Sequence, residues 1–167
     1  MPGARVIAAI AFLLLVLAPP IAGAEEAGPG LVIVPFQFRD TSGEVRDQTA
    51  DHERRLHDAM QTAVSELAKT KLVEPSLLDC GNCAPGLVEL MDQAREKGAQ
   101  YMLLGYFHKM STLVGWVKFA VFDLETNDPA CDRFLTYRGD TDEAWFRASR
   151  MIVRDIARNC LPQSSEN

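Results

Sequence analysis

The chain has 167 residues, 47% of them hydrophobic, with 23 Asp and Glu against 17 Lys and Arg and a formal net charge of −6. That length supports one domain with a buried core. An acidic chain without basic runs argues against a nucleic-acid partner and against an anionic membrane surface.

The first 24 residues have the form of a secretory signal peptide. Arg5 supplies the positive start, residues 6–18 are an unbroken apolar run, Pro19 and Pro20 end it, and Ala22, Gly23 and Ala24 form a small-residue cleavage site. The run is short for a bilayer span. Cleavage after Ala24 and a periplasmic or secreted mature protein are therefore expected. No cysteine stands at the cleavage point, which argues against a lipid-anchored product, and no later apolar run is long enough to span a membrane. Residues 25–30 should form a flexible lead-in, residues 31–161 one domain, and residues 162–167 a disordered tail.

Residues 31–38 are rich in β-branched and aromatic side chains and predict a strand, with the regular ladder ending at Val34 because Pro35 lacks a donor. A polar loop follows over residues 39–47. Leu56, Met60, Ala63, Val64 and Leu67 repeat on one face of a helix over residues 49–69, with Arg54, Arg55, Asp58 and Glu66 on the other side. Residues 71–75 predict a short strand stopped by Pro75. Cys80 and Cys83 lie in a turn, and a helix runs to about Lys97 with Leu87, Leu90, Met91 and Ala94 inward, closed by Gly98. Residues 99–123 read as a hairpin broken at Ser111 and Thr112; its first strand is apolar on both faces, so it belongs in the middle of a sheet. A polar loop over 125–132 carries Cys131, and residues 133–138 predict the fifth strand. Asp140 and Glu143 resemble a capping box for a last helix from Thr141 to about Asn159, with Trp145, Ala148, Ile152, Ile156 and Cys160 on one stripe.

The order β-α-β-α-β-β-β-α predicts an α/β (α+β) domain with one mixed five-stranded sheet and helices packed on it. Right-handed crossovers make the first three strands parallel. Residues 32–36, 96–105 and 117–123 together resemble the α/β domain at the N-terminus of the TolB translocation protein and of curli-secretion CsgG-like proteins. Residues 138–145 with Arg150, Met151, Ile152, Val153 and Arg154 resemble a family of exported bacterial proteins known only as a domain of unknown function. The resemblance implies the fold and the compartment and carries no catalytic residue. The transport role of the full translocation protein does not follow from it, since no propeller repeats follow the domain.

Four cysteines favour disulfides in an oxidising compartment. The predicted topology puts Cys80 and Cys83 at the end of the sheet where the parallel strands finish, and Cys131 and Cys160 at the opposite end. A disulfide needs Cα atoms within about 7 Å. The expected pairs are Cys131–Cys160 and, if oxidised, Cys80–Cys83. The second pair precedes a helix, where a thiolate is favoured, so a thiol redox role competes with a local structural bridge. It lacks a preceding aromatic residue, and Ala84 stands where haem attachment needs histidine. His52 and His57 are five apart, which does not align two ligands on a helix, and His108 falls in a strand; no metal or cofactor is expected. No serine sits in a nucleophile-elbow sequence and no phosphate-cradling glycine loop occurs. Arg138, Gly139 and Asp140 spell an adhesion tripeptide that strand exit and helix capping explain. Trp116 and Trp145 are expected in the core.

These residues predict a non-enzymatic binding or assembly domain with a periplasmic protein partner. The alternatives are a thiol–disulfide redox protein and a metal or small-ligand carrier. Ligands of open α/β sheets gather beyond the carboxyl ends of the strands, which puts the candidate binding face at Arg39, Asp40, Arg46, Lys109 and Arg138.

Overall fold

The computed structural model describes residues 28–79 and 86–162. The strands are β1 (Gly30–Ile33), β2 (Gln37–Asp40), β3 (Glu74–Leu77), β4 (Tyr101–Lys109), β5 (Val114–Asp123) and β6 (Pro129–Arg138). The helices are α1 (Thr49–Thr70), α2 (Leu87–Glu96) and α3 (Asp142–Asn159). One mixed sheet has the order β3-β1-β4-β5-β6. β1 is parallel to β3 and β4, and the pairs β4–β5 and β5–β6 are antiparallel. The signal-peptide region, the Cys80–Cys83 turn and the tail beyond Pro162 lie outside the described residues.

The first predicted strand is two. β1 pairs with Tyr101, Met102 and Leu103, and β2 pairs farther along the same edge of β4, from Tyr106 to Lys109. Pro35 interrupts the ladder between them, while Val34 N–H still donates to the Leu103 carbonyl at 2.8 Å.

Alternation along β4 sets the two faces. Tyr101, Leu103 and Phe107 join Leu31, Ile33, Val117, Phe119, Val121 and Tyr137 under α1 and α3, whose Met60, Ala63, Leu67, Trp145, Ile152 and Ile156 complete the main core. On the opposite face Val32, Val34, Met102 and Leu124 pack with Leu90, Met91 and Ala94 of α2. Leu87, expected inward, is 44% exposed at the first position of that helix. The C-terminal stop is as expected, with Gly98 at φ +76° and its N–H donating to the Arg95 carbonyl at 2.8 Å.

Two strands are displaced from their predicted places. β3 begins at Glu74 because α1 runs on to Thr70 and Lys71 caps it in the left-handed region at φ 57°. Pro75 sits inside β3, where an edge strand tolerates a missing donor. β6 begins at Pro129, so Cys131 lies in a strand and not in a loop. Its parity is that of Arg133, Leu135 and Tyr137, facing α3. There it bonds to Cys160 with Cα atoms 5.1 Å apart, the predicted pair. The helix cap is also one residue on from expectation: Thr141, not Asp140, accepts the Ala144 N–H at 3.3 Å.

Candidate functional site at the carboxyl ends of the parallel strands

β2, β4 and β6 finish at the same end of the sheet. Their connections are tied together. Thr41 N–H donates to the Lys109 carbonyl at 2.9 Å, and Gly139 N–H donates to the Leu113 carbonyl at 3.0 Å.

Lys109 does not face outward as expected; it is 2% exposed. It has the parity of Phe107, so its side chain runs under α1 and the β6–α3 turn. Its Nζ lies 2.8 Å from Asp140, 2.8 Å from Glu44 and 3.7 Å from Asp40. Released from capping α3, Asp140 also accepts from Trp145 Nε1 at 3.0 Å and Arg55 at 3.1 Å, and it faces His52 Nε2 at 2.9 Å. Arg54 and Arg55 then reach Asp142 at 2.9 and 2.8 Å. Arg55, expected on the solvated side of α1, is therefore largely covered.

Burial alone would raise the Asp140 carboxyl, but hydrogen bonds from Lys109, His52 and Trp145 outweigh it and hold it at about 2. Burial would likewise lower the Lys109 ammonium, and its bonds to Asp140 and Glu44 raise it instead. Both groups stay charged at neutral pH, so this cluster is a clamp between α1, β4, the β2–α1 loop and the β6–α3 turn. Neither partner is poised to exchange a proton.

Beside the clamp, the β2–α1 loop arches over a cavity of about 740 Å³ lined by Phe38, Glu44, Arg46, His52 and Leu56 among others. Asp40 Oδ1 accepts the Ser42 N–H at 2.8 Å, Asp47 accepts the Thr49 N–H at 3.0 Å, and Gly43 turns the chain at φ +71°. Val45 stands at the tip, fully exposed. The β4–β5 turn adds Met110 and Leu113, 52% and 71% exposed.

Of the predicted face, Arg39 is exposed opposite His108, Arg46 lines the cavity and Asp40 flanks Lys109. Arg138 is exposed at the end of β6 and lines a different groove, against α3. Glu44, His52, Arg55 and Asp140 were missed. His52 precedes Leu56 by one turn on the apolar stripe of α1, a signal that it is buried.

The histidines have separate surroundings. His52 is buried against Asp140, His57 is exposed, and His108 Nε2 lies 2.7 Å from Thr41 Oγ1. Among the described residues His108 Nδ1 is buried without a hydrogen-bond partner, and no third group orients this hydroxyl–imidazole pair. Among the described residues no group of His, Cys, Asp or Glu could hold a metal ion. Trp145 is core, stacked on Phe107 at 4.7 Å. Trp116 is only half-buried. Its parity puts it on the face away from α1 and α3, between Tyr106, His108 and Phe134, where α2 does not reach.

Fold and site together define an α/β domain pinned at one end by a disulfide and at the other by a buried ion cluster. The chain belongs to the DUF3280 family, described as a protein of unknown function (DUF2380), whose model matches residues 29–156. No curated protein matches it in sequence. Among solved structures it is similar to the PelC dodecamer from Paraburkholderia phytofirmans, at TM-score 0.57 and 14% identity over 82% of this chain and 91% of that one. It is also similar to TolB from Acinetobacter baumannii, at TM-score 0.48 and 14% identity over 77% of this chain and 27% of that one. At 14% identity the likeness to PelC shows the fold alone. No helix among the described residues is long and apolar enough to cross a membrane.

Proposed function

We propose that this protein is an exported, non-enzymatic binding or assembly domain that meets a protein partner through the end of the sheet bearing the β2–α1 loop and the β4–β5 turn. One observation carries the reading: exposed apolar side chains, Val45, Met110 and Leu113, stand on connections that a buried ion cluster holds in place. Exposed apolar groups on rigid supports lose little entropy on binding. Export is supported by the charged start, the apolar run and the small-residue cleavage site. The Cys131–Cys160 bridge suits an oxidising compartment. The PelC structures are of dodecamers, so the fold is compatible with assembly.

The cavity favours a second reading, a small-ligand carrier. Glu44 lines it, and Glu44 Oε1 is buried without a hydrogen-bond partner among the described residues. The thiol redox alternative turns on Cys80 and Cys83, which lie outside the described residues.

The test compares two charge-reversal sets, Arg39→Glu with Arg46→Glu and Glu125→Lys with Asp128→Lys, each checked for an unchanged melting curve. The reading expects capture of the native partner to be lost with the first set and kept with the second. The opposite pattern refutes it.

A further inference from the structure

α3 lies antiparallel along β6. Three links fix the alignment: the Cys131–Cys160 disulfide, the Arg133–Asp155 ion pair at 2.6 Å, and Tyr137 against Trp145 with ring centres 6.3 Å apart. Arg147, Arg150 and Arg154 therefore fall beside the upper half of β6. With Arg138 they line a groove of about 500 Å³ between residues 136–138 and the helix, with Ala144 and Met151 among its apolar lining. Four arginines gathered in one groove stand out in a chain of net charge −6. Arg147 pairs with Glu143 at 2.8 Å, and Arg150 lies 3.7 Å from Glu66 and over the Phe146 ring. Arg138 and Arg154 have no acidic partner among the described residues. The Arg147 and Arg150 pairs are exposed and contribute little.

Among the described residues the edge of the strand beside the groove is open. β6 is ten residues long and ends the sheet, paired only with β5 among the described residues. An edge of that length is a template for another strand. The geometry points to a second binding surface: we infer that the β6 edge takes an extended acidic segment of a partner protein as an added strand, with its acidic side chains meeting the arginines of α3. Spacing matches. Alternate residues of a strand are about 6.7 Å apart, and helix positions four apart, such as Arg150 and Arg154, rise about 6 Å. A second copy of this chain fits less well, because antiparallel pairing of two β6 edges would set the α3 arginines of both copies side by side, like charge against like. This surface is distinct from the loop end and does not depend on it.

The probe is a labelled ten-residue peptide alternating Glu and Thr, titrated by fluorescence anisotropy against the folded chain at low salt. Saturable binding is expected, weakened at least tenfold in three controls: Lys in place of Glu, backbone N-methylation at both the Glu and the Thr positions, and the double variant Arg147→Glu with Arg154→Glu. Both arginines are exposed, so the double variant should keep the wild-type melting curve. Hydrogen exchange should show new protection in β6. Equal binding of the N-methylated peptide would overturn strand addition, leaving charge attraction alone. No binding at about 1 mM peptide, where even a weak complex forms, would overturn the proposal, as would a wild-type dimer whose β6 amides are already protected.

Discussion

Asp140 joins more of the structure than any other single side chain at the loop end. It accepts from Lys109, Trp145 and Arg55 and faces His52, drawing β4, α1 and α3 onto one carboxylate. Its carboxyl is held at about 2 when folded, against an ordinary value of 3.8. A depressed acid adds stability that is complete above its unfolded value and lost as pH falls through the folded one. Stability should therefore decline between about pH 4 and pH 2, with about 2 kcal/mol of the loss due to this group. Asp140→Asn should flatten that part of the acid-denaturation profile. At neutral pH the same change should cost about 3 kcal/mol in urea unfolding, because buried Lys109 loses its best counter-charge. An unchanged acid profile would place the sensitivity elsewhere. Lys109 is legible in its parity, which is that of inward-facing Phe107, although charge at a strand end by itself points to the surface. Asp140 is not legible, since a local capping pattern competes with a contact to Lys109 that only the fold creates.

At the scale of elements, α3 is held onto the sheet by an apolar stripe whose largest side chain is Trp145, by the Arg133–Asp155 ion pair and by one covalent bond. Trp145 is 1% exposed and packs against Phe38, Phe107 and Tyr137. Trp145→Ala should cost about 3–5 kcal/mol in urea unfolding at neutral pH, the range for removing a fully buried aromatic. An unchanged midpoint and slope would mean that the helix is held by something else. The Cys131–Cys160 bridge closes a loop of sequence separation 29. Replacing both cysteines with serine should lower stability by about 2–4 kcal/mol, and peptide mapping without reductant should recover the 131–160 pair. A Cys80–Cys160 peptide would contradict the strand directions as well as the pairing. This bridge could be placed from the sequence although the start of β6 could not. Strand direction alone assigns Cys131 and Cys160 to one end, whereas the added residues of β6, Pro129, Ala130, Cys131 and Asp132, open on a proline and carry no β-branched or aromatic side chain. Likewise, Pro75 looked like a stop because its position on the sheet edge is a property of the whole sheet.

For the whole molecule, the order of elements and the mixed sheet followed from periodicity and chain reversal, and the DUF3280 match agrees with the resemblance read from residues 138–154. What periodicity does not carry is which end of the sheet is finished for contact. The bridge between β6 and α3 covalently secures one end. The other end couples a charged clamp to exposed Val45, Met110 and Leu113. The most direct measurement is site-specific photo-crosslinking in the native compartment, with a benzophenone side chain in place of Val45 or Leu113 and, as the opposite-end control, in place of Asn127 or Asp128. One discrete cross-linked species is expected from Val45 and Leu113, and none from Asn127 and Asp128. Cross-links confined to Asn127 and Asp128 would contradict contact through the loop end.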